Sequence, residues 1–73
     1  MTQDVIRTLD HLEDRADGYL SLSDCEHAVG RSLQPEIDDS VVLVDYRMRA
    51  DGTPVTLARL NRRHPMVQAL TNW

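Results

Sequence analysis

The sequence predicts a small α+β domain, and three observations support that prediction. Apolar residues at helical spacing run through residues 3–16, which predicts an amphipathic first helix. Alternating apolar and polar residues flank Asp51-Gly52, which predicts a β-hairpin over residues 42–60. A proline that can occupy the first turn of a helix predicts a closing helix over residues 65–71.

The first predicted helix has one apolar face and recognisable ends. Its apolar side chains lie at positions i, i+4, i+7 and i+11: Val5, Leu9, Leu12 and Ala16. Thr2 is predicted to cap the helix, because its hydroxyl oxygen can accept a hydrogen bond from a first-turn amide. Gly18 follows the last turn, where a residue with left-handed backbone geometry commonly ends a helix.

A short extended segment over residues 18–22 is followed by the signature of a second helix start. Ser23 and Glu26 have the spacing of a capping box, in which each side chain binds the backbone amide of the other residue. The pattern predicts a helix over residues 24–29 that ends at Gly30. The side chains predicted to face the core from this helix are Cys25, Ala28 and Val29.

The middle of the chain carries conflicting signals. Pro35 can lie in the first turn of a helix, whereas residues 41–44 are three β-branched valines and a leucine, a composition typical of a strand. We expect a short helix over about residues 34–40 that gives way to the first strand of the hairpin. Pro54 lacks an amide donor and is therefore predicted in the loop or at the end of the return strand.

The 73 residues are predicted to form a single domain, residues 1–73, near the lower size limit for independent folding. Cys25 is the only cysteine, so no internal disulfide can form, and a lone thiol suits a reducing, cytoplasmic compartment. The first helix begins near Met1 and is charged throughout, so we expect neither a signal peptide nor a membrane span. A small domain without a disulfide also predicts a homodimer, formed by burying Leu70 and Trp73 of the last helix.

Charge is distributed unevenly along the chain. Residues 1–39 contain three Arg and ten acidic residues, whereas residues 40–73 contain five Arg and two acidic residues. The five Arg of the second half lie on or beside the predicted hairpin: Arg47, Arg49, Arg59, Arg62 and Arg63. A basic hairpin of this kind can follow the phosphates of duplex DNA. The alternatives are that these charges keep an exposed face soluble or attract the acidic first half.

Residues 55–70 resemble the end of the wing in winged helix-turn-helix regulators of the arsenic-repressor type. In that family a final wing strand runs into a Leu-Asn-x-x-His-Pro-Leu step and a closing helix, and residues 60–66 read Leu-Asn-Arg-Arg-His-Pro-Met. The predicted order of helix, short strand, two helices, hairpin and helix is also similar to that family. The resemblance implies a winged helix that binds DNA and regulates transcription.

One segment departs from that family. Winged-helix regulators place a polar or basic helix in the major groove, whereas residues 34–40 carry the carboxylates of Glu36, Asp38 and Asp39. Phosphates repel carboxylates, so the hairpin rather than this helix is predicted to carry contact with DNA. A winged helix that binds a protein partner is the alternative that the acidic segment favours.

Residues 32–41 are similar to the segment before the modified serine of acyl and peptidyl carrier proteins. In that family an Asp-Ser-Leu step opens a helix, and the serine carries phosphopantetheine. The matching step here is Asp39-Ser40-Val41, so the resemblance implies Ser40 as the attachment site. Valine in place of leucine, and a Gly-containing turn that follows within the expected helix, count against this function, which is the first alternative to DNA binding.

No catalytic, metal or cofactor site is predicted. The three histidines lie far apart in the sequence: His11, His27 and His64. Cys25 and His27 are two residues apart on a predicted helix and therefore face different directions. Cys25 is interpreted as a small core residue rather than a nucleophile. The sequence therefore predicts a non-enzymatic module without a cofactor.

Overall fold

The computed structural model describes residues 2–15 and 20–71, and within them it contains four helices and three strands. In chain order these are α1 (Thr2–Arg15), β1 (Leu20–Ser21), α2 (Leu22–Val29), α3 (Gln34–Asp38), β2 (Val42–Met48), β3 (Pro54–Leu60) and α4 (Pro65–Thr71). The predicted α+β class is confirmed, and the layout is compatible with a winged helix.

The three strands form one antiparallel sheet with β3 in the centre, in the order β1-β3-β2. β2 pairs with β3 without a bulge, from Val42 opposite Leu60 to Met48 opposite Pro54. β1 adds a two-residue strand on the other side of β3. The hairpin predicted over residues 42–60 is confirmed.

The turn of the hairpin uses the predicted Asp51-Gly52 step. The N–H of Arg49 donates to the carbonyl of Thr53 at 2.8 Å, and the N–H of Gly52 donates to the carbonyl of Arg49 at 2.9 Å. Gly52 has φ 88°, a left-handed conformation that glycine adopts without a steric penalty. The carboxylate of Asp51 accepts the N–H of Thr53 at 2.9 Å, and this hydrogen bond lowers the pKa of Asp51.

The core lies on one face of the sheet. Its buried side chains come from α1, α2, the α2–α3 connection, the turn before β2, the sheet and α4: Val5, Ile6, Leu9, Cys25, Leu33, Val41, Val42, Ala58, Leu60 and Val67. The other side of the hairpin, here called the outer face, carries Leu43, Asp45, Arg47, Val55, Leu57 and Arg59. On the outer face the leucines and the valine are half-buried, and the charged residues are exposed.

The first helix confirms the predicted apolar face. Three of its positions are buried or half-buried: Val5, Leu9 and Leu12. The predictions for Ala16 and Gly18 fall on residues outside the described ranges. Thr2 is the first residue of α1, and its hydroxyl donates a hydrogen bond to the distant Glu36, so its prediction as a cap is wrong.

The start of α2 was predicted two residues too late. The N-cap is Ser21, whose Oγ accepts the N–H of Asp24 at 3.0 Å. The carboxylate of Glu26 does not reach back to Ser23, because it accepts the N–H of Leu33 at 2.8 Å across the following turn. By their spacing, both Ser21 and Ser23 are candidates for the N-cap of α2. Ser21 is also the last residue of β1, so the pairing of β1 with β3 makes Ser21 the N-cap.

The end of α2 agrees with the sequence prediction, and its packed face agrees in part. Gly30 follows the helix with φ 91°, and its N–H donates to the carbonyl of Glu26 at 2.8 Å. Cys25 is buried and Val29 is half-buried, but Ala28 is exposed, so its predicted place in the core is wrong. The packed stripe of this short helix runs through Cys25 and Val29 at i, i+4 spacing, which leaves Ala28 at its margin.

In the middle of the chain the predicted short helix and the predicted strand are both present, one after the other. α3 occupies only Gln34–Asp38, and β2 begins at Val42 after a turn in which Ser40 has φ 61°. The predicted closing helix is confirmed as α4. No helix in the described part of the chain is long and apolar enough to cross a membrane.

Candidate functional site

The five arginines that are predicted to contact DNA do not form a single cluster. Arg47 in β2 and Arg59 in β3 share the outer face, but the pairing register separates them by four positions along the hairpin. That separation corresponds to roughly 13 Å at about 3.3 Å per residue. Arg49 lies in the turn directly after β2, and Arg62 and Arg63 lie between β3 and α4. The hairpin therefore has arginines near its tip and a second group at its base.

Arg62 is engaged by the acidic face of the first helix. Its Nη1 contacts Asp10 Oδ1 at 2.8 Å, and its Nη2 contacts Glu13 Oε2 at 2.6 Å. The other oxygen of Glu13 accepts the N–H of Leu60 at 3.1 Å. These contacts join the end of β3 to α1, so the charge of Arg62 is neutralised within the fold.

Arg47 is paired within its own strand. Its Nε and Nη2 both contact Asp45 Oδ2 at 2.8 Å, and the two side chains lie on the outer face two residues apart. Both side chains are more than half exposed, so solvent screens this ion pair and its contribution to stability is small.

The remaining three arginines are exposed and form no ion pair within residues 2–15 and 20–71. We call them the unpaired arginines: Arg49, Arg59 and Arg63. Their guanidinium groups can donate several hydrogen bonds to phosphate or carboxylate oxygens without breaking a contact that holds the fold.

One of the three carboxylates that were predicted to repel phosphates, that of Glu36, lies inside the domain. The side chain of Glu36 is only 2% exposed, so it cannot repel phosphates as a surface carboxylate would. Its two oxygens accept hydrogen bonds from Arg31 Nη1 and Nη2 at 2.9 and 2.8 Å, and Oε2 also accepts the hydroxyl of Thr2 at 3.0 Å. The bidentate contact from Arg31 lowers the pKa of Glu36 although burial acts in the opposite direction.

The ion pair between the buried Glu36 and the exposed Arg31 fixes α3 to the start of α1 and to the turn after α2. The exposed carboxylates that remain on α3 and directly after it are Asp38 and Asp39. Asp38 also accepts a hydrogen bond from Gln34 at 2.8 Å. A five-residue helix that presents carboxylates to solvent is poorly suited to the major groove.

The residues that carry the winged-helix resemblance have structural roles here. The side-chain amide of Asn61 donates to the carbonyl of Ser40 at 2.9 Å, and its oxygen accepts the N–H of Arg63 at 3.1 Å. The Nδ1 of His64 accepts the N–H of Met66 at 3.1 Å and thus caps the first turn of α4. Asn61 and His64 therefore end β3 and begin α4, a role that sequence reasoning did not assign.

Two candidate residues for chemistry lie in unsuitable surroundings. Burial raises the pKa of the Cys25 thiol to about 11, and the nearby carboxylates of Glu13, Asp24 and Glu26 add to the effect. A thiol with this pKa stays protonated and is a poor nucleophile near neutral pH. Ser40 lies in a turn and is followed by β2, whereas the carrier-protein resemblance requires a helix there.

The hairpin also exposes two large apolar side chains. Tyr46 and Met48 are 77% and 71% exposed, although they lie on the same face as the buried Val42. The half of the hairpin nearest its turn therefore extends beyond the helices that cover its base. Sequence alternation placed these residues on the core face but contained no signal for where the core ends.

Within the described ranges, no group of three His, Cys, Asp or Glu side chains is placed to hold a metal ion. Comparison of the chain with protein-family models, with curated proteins and with solved structures finds no match. The function is therefore inferred from the geometry of the hairpin and from the distribution of charge.

Proposed function

We propose that this domain is a non-enzymatic, winged-helix-like module that binds duplex DNA through its hairpin and acts in transcription regulation. The observation that carries the proposal is the set of unpaired arginines on the hairpin and directly after it. The sheet order β1-β3-β2, with a hairpin that extends past the helices, supports the winged-helix assignment.

The hairpin is the favoured contact because α3 is acidic where it is exposed. Asp38 and Asp39 would approach the phosphates if α3 entered the major groove, and Glu36 is already engaged inside the domain. Contacts from arginines on a hairpin go mostly to phosphates, which position a protein without specifying sequence. Binding is therefore expected to be weak, similar across sequences and strongly dependent on salt.

The most direct test removes two unpaired arginines from the hairpin. Arg49→Ala combined with Arg59→Ala should lower affinity by a similar factor for unrelated duplexes, because phosphate contacts are lost. The slope of log K against log salt should flatten by roughly 2, since each lost phosphate contact removes about 0.9. Fluorescence anisotropy of labelled duplexes over a salt series measures both quantities.

Arg7→Ala is the matched control, because Arg7 is an exposed arginine on α1, away from the hairpin. It should leave the slope unchanged. Absence of duplex binding by the wild-type chain at low salt, or an unchanged slope in the double variant, would rule out the DNA-binding function.

A protein partner is the second candidate, and the exposed apolar residues of the hairpin favour it. Tyr46 and Met48 add apolar area that DNA phosphates do not require, and such area is typical of protein-binding surfaces. Tyr46→Ala separates the two functions: it should leave the salt slope for DNA unchanged and weaken a protein contact.

A further inference from the structure

We propose that the exposed edge of β2 binds β2 of a second copy of this chain, so that two domains join their sheets. β2 is the outermost strand in the order β1-β3-β2, and within the described residues no strand pairs with its other edge. β2 contains neither Pro nor Gly and has no bulge, so it lacks common features that protect an edge strand. Such an edge can template a further strand.

The backbone groups of β2 alternate between β3 and the open edge. The N–H of Arg49 donates to Thr53 at 2.8 Å, and the carbonyl of Val41 accepts from Asn61 at 2.9 Å, so odd-numbered positions face β3. The period of two in a strand therefore directs the N–H and C=O groups of the even positions away from β3. These positions are Val42, Val44, Tyr46 and Met48.

The side chains of β2 are self-complementary in one antiparallel register. Pairing centred on Tyr46 places Val44 opposite the partner's Met48, at positions whose backbone groups point outward. The same register places Asp45 opposite the partner's Arg47, and two-fold symmetry repeats that contact. Cross-strand pairs of opposite charge stabilise a sheet. The three even-numbered pairs would form about six backbone hydrogen bonds.

Two neighbouring registers are less favourable. Pairing centred on Asp45 places its carboxylate opposite the same carboxylate of the second copy. Pairing centred on Arg47 does the same for two guanidinium groups; it also places Asp45 opposite the partner's Arg49, but among the outward-facing positions of β2 only Tyr46 and Met48 then pair within the strand. In both cases the like charges occupy a non-hydrogen-bonded pair, with Cα atoms about 4.5 Å apart. Like charges directly opposite one another destabilise a sheet.

The exposed apolar residues would be covered in the same register. The two Tyr46 rings meet at the two-fold axis, and Met48 packs over the partner's Val44. This contact removes from water two side chains that are 77% and 71% exposed in one domain. The interface predicted on the last helix has less support, because Leu70 already packs against the core and Trp73 lies outside the described residues.

The joined sheet would also change the outer face. Arg49 falls opposite the partner's Leu43, which is the neighbour of the partner's Arg59 in the pairing of β2 with β3. Two arginines that lie at opposite ends of one hairpin would then be about 10 Å apart across two strand spacings. The dimer itself does not depend on DNA binding.

Sedimentation velocity with charge-reversed variants tests the interface and its register. Asp45→Arg alone and Arg47→Asp alone should each raise the dimer dissociation constant by about tenfold or more, because like charges then oppose each other twice. An equimolar mixture of the two variants should form a heterodimer as tight as the wild-type dimer, because each reversal meets the opposite one. Asp14→Arg and Arg7→Asp, at exposed sites on α1 away from β2, are the controls and should dimerise like the wild type.

Three results would overturn the proposal: a monomeric wild-type chain up to millimolar concentration, single variants that dimerise as tightly as wild type, or a mixture without heterodimer. Amide exchange of the wild-type chain gives a readout that does not depend on how the variants fold. The N–H groups of Val44, Tyr46 and Met48 should become protected as concentration rises. Protection that does not change with concentration would also exclude the β2 interface.

Discussion

The helical side of the molecule and the hairpin use the same residue type in different ways. Arg31 lies beside α3, and its guanidinium binds the buried Glu36 through two hydrogen bonds. Arg49 and Arg59 on the hairpin are exposed and have no ionic partner within the described ranges. The first kind of arginine holds the fold together, whereas the second kind is available to a partner.

Arg62 shows that the position of an arginine in the sequence does not reveal whether it binds within the fold or is available to a partner. It is adjacent to Arg63 and belongs to the basic second half, yet it binds Asp10 and Glu13 of α1. The positive charge that this half offers to a partner is therefore smaller than its five arginines suggest. The DNA-binding proposal consequently rests on three arginines rather than five.

The largest expected difference between the two regions is in stability. Leu33 has a fully buried side chain in the connection between α2 and α3, and Leu33→Ala should lower the free energy of unfolding by about 3 kcal/mol through lost burial and a cavity. Tyr46→Ala on the hairpin should change it by less than about 0.5 kcal/mol, because the ring is exposed. Urea denaturation followed by circular dichroism, at low protein concentration, measures both. Similar losses for the two variants would mean that the half of the hairpin nearest its turn belongs to the core.

The next effect concerns the ion pair between the buried Glu36 and Arg31 and depends on pH. Glu36→Ala removes the acceptor of the hydrogen bonds from Arg31 and Thr2 and should lower the free energy of unfolding at neutral pH by roughly 1.5 kcal/mol, a loss that is limited because Arg31 is accessible to water. The pKa of Glu36 is lowered in the folded state, so its stabilisation is complete above the pKa of an unfolded glutamate, about 4.3. It is lost as pH falls through the lower folded pKa.

Glu36→Gln isolates this pH dependence. Between pH 7 and pH 3 the wild-type chain should lose more stability than Glu36→Gln, because glutamine does not titrate. Asp14→Asn, at an exposed carboxylate on α1, is the control and should follow the wild type. Equal losses for wild type and Glu36→Gln would show that Arg31 does not stabilise the charged form of Glu36.

The smallest effect compares two adjacent arginines. Arg62→Ala should lower the free energy of unfolding by about 1 kcal/mol, the range for partly exposed ion pairs, because two contacts with α1 are lost. Arg63→Ala should leave stability unchanged and should weaken DNA binding instead. Thermal unfolding and anisotropy on the same two variants measure the contrast. The reverse order in either measurement would show that the unpaired arginines were assigned wrongly.

The sequence by itself determined the elements whose signals are local. The Asp51-Gly52 turn and the alternation around it predicted the hairpin, because a tight turn fixes the register of the strands that it joins. Val5 and Leu9 predicted α1 through their helical spacing, and Pro65 predicted the start of α4. These signals act within a few residues, so they are readable without knowledge of the rest of the fold.

Only the tertiary structure decided which polar side chains are available to a partner. Thr2 and Glu36 are 34 positions apart, and Arg62 and Asp10 are 52 positions apart. Pairing at such separations depends on how α1 packs against α3 and β3, and periodicity carries no information about it. The N-cap at Ser21 rather than Ser23 has a similar cause, because pairing of β1 with β3 fixes where the strand ends. Sequence patterns therefore located the basic hairpin, whereas packing against the acidic helix determined which of its charges remain exposed.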